Sequence, residues 1–135
     1  MERFFDQDCD PRQLSPLTLA FVGDCVFELF VREELVCRGN CPVKKLHQRS
    51  VEQVCAGAQA NFSKKLWPHL TEEEQQVYQR GRNAHVNHVP KNASVADYHA
   101  ATAFEALFGY LYLDGKLERL RELFQLCMIT DSKGT

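Results

Sequence analysis

Apolar positions recur along most of the chain at the spacing of α-helices. Ser15 followed by Pro16 has the form of a helix N-cap with proline at the first helical position, so a long helix is predicted over about residues 16–37. A short basic stretch, 43–49, separates it from a second predicted helix over about 50–66. That second helix carries an apolar stripe at helical spacing, made of Val51, Val54, Cys55, Ala58 and Phe62.

The second half of the chain contains three further helical patterns. Thr71 and Glu74 have the spacing of a capping box, and Ser94 and Asp97 open a later helix in the same way. The predicted helices cover about 72–82, 95–113 and 116–128, with a loop over 83–93. No segment alternates with the period of two that a strand requires, so we predict an all-α fold. The predicted organisation is an N-terminal segment over 1–14, one domain over 15–128 and a C-terminal tail over 129–135.

Two of the predicted helices are apolar on nearly every side and contain very few charges. Between residues 17 and 31 the charged side chains are Asp24 and Glu28, and between 100 and 113 the only one is Glu105. An unpaired buried carboxylate costs several kcal/mol, so such a group is paired, protonated or bound to a metal. Two central helices that each present an acid to one site would form an oxygen-lined pocket of the kind that Mg²⁺ prefers. Such a pocket suits metal-assisted hydrolysis of a phosphodiester.

The same carboxylates also have structural interpretations, and the residues alone leave both open. Asp24 could accept a hydrogen bond from a neighbouring helix end, and Glu105 could pair with Arg32 or Arg82. Structural ion pairs of this kind also produce buried acids. Glu28 is expected to be a charge at a helix edge or interface rather than a ligand.

The two apolar helices carry motifs that resemble those of a known family. Residues 19–28, LAFVGDCVFE, and residues 102–113, TAFEALFGYLYL, resemble the two ribonuclease III signatures in the correct order. The segments RGRNA at 80–84 and PKN at 90–92 resemble the version found in Mini-ribonuclease III. The resemblance covers about residues 14–124 and implies a helical ribonuclease III catalytic domain that forms a C2 homodimer.

The resemblance also assigns roles to individual residues. Asp24 matches the catalytic aspartate and Glu105 the metal-binding glutamate, so both are expected to hold Mg²⁺, with Mn²⁺ as a substitute. Phe21 falls where the larger family has an aromatic side chain that enters a socket on the partner subunit. Ala20 and Thr102 stand where the larger family has two more acids, a loss that Mini-ribonuclease III shares. Fewer protein ligands per metal are therefore expected.

The charge balance gives no sign of strong non-specific binding to nucleic acid. The formal net charge is −2, so RNA binding would require basic residues gathered on one face. Two clusters are candidates because duplex RNA is recognised through its shape, phosphates and 2′-hydroxyls. The first contains Lys44, Lys45, His47 and Arg49, and the second Arg80, Arg82, Asn83, His85, His88, Lys91 and Asn92. We expect RNA contacts from His47, Arg82, Asn83 and Lys91, although basic residues are often merely solvated. The spacing of His85 and His88 suits a metal pair, but no third soft ligand is evident, so no zinc site is expected.

The resemblance implies a Mg²⁺-dependent endoribonuclease that cleaves double-stranded RNA. Within the family, the substrate is the 23S ribosomal RNA precursor, and a large-subunit ribosomal protein helps to select the site. The alternatives are a non-catalytic double-stranded-RNA-binding dimer of the same fold and a purely structural helical module. Two acids retained in apolar helices favour the enzyme, because their replacement would otherwise gain stability.

The location expected from the sequence is the bacterial cytoplasm, or the chloroplast stroma in a plastid-bearing organism. The first residues lack a signal-peptide pattern, and the six cysteines form no C-x-x-C pair, which favours a reducing compartment. No apolar run approaches the ~20 residues needed to cross a membrane.

Overall fold

The computed structural model describes residues 3–84, 89, 91 and 94–129. Over these residues the all-α prediction is confirmed, because the chain forms six α-helices and two 3₁₀ turns and contains no strand. The helices are α1 (Pro16–Cys37), α2 (Val43–Val54), α3 (Ala56–Leu66), α4 (Glu72–Arg82), α5 (Val95–Leu113) and α6 (Leu117–Met128). The 3₁₀ turns cover Pro11–Gln13 and Trp67–His69.

Side-chain caps fix the starts of three helices where the sequence predicts them. The Ser15 side chain accepts a hydrogen bond from the backbone N–H of Thr18 at the start of α1. Thr71 and Glu74 form both halves of a capping box at the start of α4. The Ser94 side chain accepts a hydrogen bond from the backbone N–H of Asp97 at the start of α5. These caps satisfy backbone donors that would otherwise lack partners, which explains why the predicted starts are accurate.

The region between α1 and α4 differs from its prediction. The basic stretch 43–49 is helical, and the predicted helix over 50–66 is interrupted at Cys55, whose backbone is extended (φ −67°, ψ 159°). The interruption lets α2 lie mainly against α1 while α3 packs against α5 and α6. Val51 and Cys55 consequently leave the predicted stripe and are exposed. Tertiary packing here overrides a continuous helical pattern.

Helix α5 is the centre of the domain. It packs against α1, α3, α4 and α6. Phe27 of α1 and two phenylalanines of α5, Phe104 and Phe108, are fully buried. The ring of Phe27 meets both of the others edge-on, with ring centroids 4.8 Å and 5.4 Å away. This arrangement is favourable for aromatic pairs beyond the apolar area it buries.

The backbones of α1 and α5 touch directly at two glycines. A Cβ added to Gly23 would lie 1.6 Å from the backbone oxygen of Glu105. A Cβ added to Gly109 would lie 2.0 Å from the backbone oxygen of Leu19. No side chain fits at either position, so the two helices can approach this closely only with glycine at both. The contact also fixes the register that places Asp24, the next residue after Gly23, beside Glu105.

None of the described helices combines the length and the hydropathy needed to cross a bilayer.

Candidate active site

Three helices bring polar side chains together next to the glycine contact. Asp24 comes from α1, Glu105 from α5 and Gln59 from α3. The carboxyl groups of Asp24 and Glu105 are close enough to interact through charge and a hydrogen bond. The amide Nε2 of Gln59 donates a hydrogen bond to Glu105 Oε2 at 3.2 Å. Glu105 thus lies next to two side chains that are far from it in sequence, Gln59 at 46 positions and Asp24 at 81 positions.

The two acids occupy different environments. Asp24 is exposed, whereas Glu105 is only partly exposed. The expectation that both carboxylates are buried was therefore wrong for Asp24 in the single chain. Burial, followed by the negative charge of Asp24, raises the pKa of Glu105 to about 8, while the Gln59 hydrogen bond opposes that rise. Burial and the neighbouring Asp24 thus disfavour the ionised form of Glu105, and a cation between the two acids would favour it.

The alternative that these acids belong to structural ion pairs is not supported by their partners in the structure. Arg32 bonds Glu28 instead, with Nε 2.9 Å from a carboxylate oxygen in an i,i+4 pair. Among the residues described, neither Asp24 nor Glu105 takes part in a salt bridge, and Arg82 forms none with Glu105. Within the described part of the chain, the site is therefore acidic and has no basic partner.

The positions that have lost acids relative to the larger family are apolar or already satisfied. Ala20 and Thr102 are both buried. The Thr102 hydroxyl donates to the backbone oxygen of Tyr98 at 3.1 Å, one turn earlier in α5. Neither residue therefore adds a charged oxygen near Asp24 and Glu105.

The donor set suits a hard divalent cation held by few protein ligands. Magnesium is commonly bound by one or two carboxylates, with water and substrate phosphates completing its shell. Across the described parts of the chain, no group of three or more His, Cys, Asp or Glu side chains is arranged around a common point. Gln59 Oε1 is buried and has no hydrogen-bond donor among the described residues, so a polar ligand at the site would give it a partner. Asp24 and Glu105 thus fit Mg²⁺ better than a cage-bound metal.

The predicted RNA-contacting residues are all exposed and come from different parts of the fold. Arg82 is the last residue of α4 and Asn83 its C-cap, and both are exposed. Lys91 is also exposed. His47 is exposed on α2, which has its main contacts with α1 and α3, whereas α4 packs mainly on α5. The remaining predicted candidates His85, His88 and Asn92 lie outside the described residues.

An apolar groove runs along the outer face of α1. Phe21 is 80% exposed and Leu29 is 55% exposed. Both line a groove of about 880 Å³ that Asp24 also borders. Such an apolar surface on so small a domain is typical of a site of protein association.

Gln59 is the polar residue of the site that sequence reasoning did not single out. It lies immediately after a position of the predicted apolar stripe, between Ala58 and Ala60, where a glutamine usually faces solvent. In the structure its side chain is only 1% exposed. A polar residue flanked by small apolar ones on a helix was the available signal, but only the packing of α3 on α5 reveals its partner.

The fold is that of a ribonuclease III domain. A model of that family, described as the ribonuclease III domain, matches residues 17–116. A crystal structure of a protein from Fusobacterium nucleatum superimposes with a TM-score of 0.79, at 31% sequence identity, and covers 87% of this chain and 93% of that one.

Several bacterial relatives show to which ribonuclease III subfamily the chain belongs. A Mini-ribonuclease 3 of Symbiobacterium thermophilum is 52% identical over 116 residues, which are 86% of this chain and 89% of the relative. A Mini-ribonuclease 3 of a Thermoanaerobacter species is 48% identical over 113 residues, covering 84% and 80% of the two chains. The chain therefore belongs to the Mini-ribonuclease 3 family, a group of ribonuclease III-type endoribonucleases.

The raised pKa of Glu105 predicts how stability varies with pH. An unfolded glutamate has a pKa of 4.5 and the folded Glu105 a pKa of about 8, so the folded state binds more protons between these values. In a metal chelator, Glu105 should therefore make the free energy of unfolding fall as pH rises through that interval. The Glu105→Gln variant lacks this loss. At the upper end of the interval its free energy of unfolding should therefore exceed that of the wild type by a few kcal/mol, at about 1.4 kcal/mol per pKa unit.

Urea unfolding at pH 5 and pH 8.5 would measure the difference. Glu118→Gln is the matched control, because the Glu118 side chain is 81% exposed, and its stability should parallel the wild type. Identical pH profiles for Glu105→Gln and the wild type would contradict the raised pKa.

Proposed function

We propose that this protein is a Mg²⁺-dependent endoribonuclease that cleaves double-stranded RNA, with Asp24 and Glu105 as the metal ligands. The observation that carries the proposal is the meeting of these two acids at the α1–α5 contact, without a basic partner among the described residues. Membership of a family of ribonuclease III-type endoribonucleases supports the reaction class.

The chain's own residues would divide the work between them. Asp24 is exposed and would face both the cation and the RNA phosphate. Glu105 must give up its proton to bind a cation, because its pKa is about 8 in the unbound site. Bound Mg²⁺ would lower the pKa of the attacking water and stabilise charge on the leaving 3′-oxygen. Gln59 holds one oxygen of Glu105 in place through its amide N–H.

RNA contacts are proposed from the exposed residues at the end of α4 and beyond it. Arg82, Asn83 and Lys91, together with His47 of α2, would contact phosphates and 2′-hydroxyls. The net charge of −2 implies that few phosphates are neutralised, so binding should depend only weakly on salt. We extend the proposal to the 23S ribosomal RNA precursor in a bacterial cytoplasm, with a large-subunit ribosomal protein as partner. The support for this extension is the family resemblance of the chain.

The groove on α1 supports a homodimer. Phe21 projects from the same face that carries the groove, so a twofold axis would let each Phe21 enter the groove of the other subunit. Because Asp24 borders the groove, such pairing would place two sites near one interface. Each of the two sites could then act on one strand of a duplex.

The Asp24→Asn variant tests the catalytic assignment. It keeps the shape of the side chain and removes the negative charge, so cleavage of a long RNA duplex in Mg²⁺ should slow at least ~100-fold. Duplex binding in a gel-shift assay should persist. Glu28→Gln is the matched control, because Glu28 lies one turn away on α1 and pairs with Arg32. Its cleavage rate should stay within a few-fold of the wild type.

Two results would count against this assignment. Near-normal cleavage by Asp24→Asn would remove Asp24 from the chemistry. A wild type that binds the duplex but never cuts it, at any Mg²⁺ or Mn²⁺ concentration, would favour the non-catalytic RNA-binding dimer.

The Phe21→Ala variant tests the dimer. Loss of an aromatic ring that fills a partner groove should raise the dissociation constant of the dimer about 30-fold, corresponding to about 2 kcal/mol. Sedimentation velocity over a range of concentrations would measure it. Val51→Ala serves as the control, because Val51 is a 59% exposed apolar residue of α2 outside the groove. The dimer proposal fails if the wild type is a fully active monomer.

A further inference from the structure

Gln59 is a buried polar residue that the fold itself does not require. Its side chain is 1% exposed, yet it carries both a hydrogen-bond donor and an acceptor. Burying an amide is unfavourable unless its hydrogen bonds are satisfied, so a leucine or methionine would be the simpler solution for packing α3 on α5. Its retention in this place indicates a task other than packing.

The donor half of the Gln59 amide has a clear partner. Nε2 donates to Glu105 Oε2 at 3.2 Å. When Glu105 is ionised, as a cation ligand must be, its oxygens only accept hydrogen bonds, so the amide nitrogen of Gln59 faces Glu105 and the amide oxygen faces elsewhere. This bond restrains one oxygen of the carboxylate and leaves the other oxygen for a ligand.

The acceptor half of the same amide has no partner in the described part of the chain. Gln59 Oε1 is fully buried and receives no hydrogen bond there. Because Oε1 and Nε2 share one amide carbon, the unsatisfied oxygen lies within a few ångströms of the Glu105 carboxyl group. A buried acceptor without a hydrogen bond costs free energy. A ligand that brings a donor to this position would remove that cost.

The neighbouring buried polar residue of α3 makes a useful contrast. Ser63 lies one turn after Gln59 and is 6% exposed. Its hydroxyl donates to the backbone oxygen of Gln59 at 3.0 Å, within its own helix. Ser63 is thus satisfied locally, whereas Gln59 reaches across to α5.

We propose that Gln59 is a positioning residue of the cation site, whose amide N–H orients Glu105 and whose Oε1 accepts a hydrogen bond from a water in the hydration shell of the cation. This inference rests on the proposed function. With alanine and threonine at positions 20 and 102, the site has two carboxylates, so water must supply most of the shell of a bound Mg²⁺. Replacing a residue that hydrogen-bonds to the ligands of a metal commonly lowers metal affinity or activity 10- to 100-fold.

The test compares Gln59→Met with Ser63→Ala. Methionine keeps the length and volume of the side chain and removes both hydrogen-bonding groups. Calorimetric titration with Mn²⁺, without RNA, should show about 10-fold weaker binding for Gln59→Met and wild-type binding for Ser63→Ala. In RNA cleavage, kcat of Gln59→Met should fall about 10-fold or more while KM for the duplex stays unchanged. A purely structural residue would lower thermal stability without this selective loss of metal affinity.

A second variant keeps the test decisive if Gln59→Met does not fold. Gln59→Asn retains the amide but shortens its reach by one methylene, and it should show the same loss of Mn²⁺ affinity. Wild-type Mn²⁺ affinity and kcat in a folded variant would overturn the proposal.

The metal titration separates this proposal from the wider one. If the wild type binds Mn²⁺ and the Gln59 variants bind it more weakly, but no duplex is cut, the proposed reaction fails while the role of Gln59 stands. If the wild type binds no Mn²⁺ at millimolar concentrations, both proposals are wrong.

Discussion

The direct contact of the α1 and α5 backbones determines the rest of the molecule. Glycine at positions 23 and 109 lets the two helices approach until no Cβ fits between them. This approach buries the phenylalanine core on one side of α1 and sets how the apolar residues of α1 and α5 align with one another. It also aligns Asp24 with Glu105. Fold and site therefore share one constraint, and a change at either glycine would disturb both.

The site that results is electrostatically unfavourable when empty of cations. Glu105 is desolvated and faces Asp24, so its pKa rises to about 8, and the single hydrogen bond from Gln59 only partly offsets the rise. A protein selected only for stability would replace one of these acids with an apolar residue. A divalent cation reverses the balance, because it stabilises the ionised form of both carboxylates. This imbalance supports the proposal that the two acids bind a cation.

Much of the fold could be predicted from local sequence. Ser15, Thr71 and Ser94 are N-caps whose hydrogen bonds form within a few residues, and the helices they begin have the predicted starts. The break at Cys55 could not be predicted, because the apolar pattern continues across it and the cause is the packing of α2 and α3 on different partners.

The candidate site, too, could be predicted only in part from the sequence. Asp24 and Glu105 stood out as rare charges on apolar helices and as residues of two recognisable motifs. The exposure of Asp24 and the contact of Gln59 with Glu105 depend on how three helices are arranged in space. Sequence distance conceals such contacts, so Gln59 could be assigned only from the structure.

The central claim is that Asp24 and Glu105 form one cation site, and metal binding without RNA tests it most directly. Calorimetric titration with Mn²⁺ would be performed on the wild type, Asp24→Asn, Glu105→Gln and the control Glu28→Gln. We expect measurable binding by the wild type and the control, and at least about 10-fold weaker binding by both site variants, because each removes one of the two carboxylates that the described residues bring to the site. Wild-type Mn²⁺ affinity in either folded site variant would contradict the claim that the two acids share one ion.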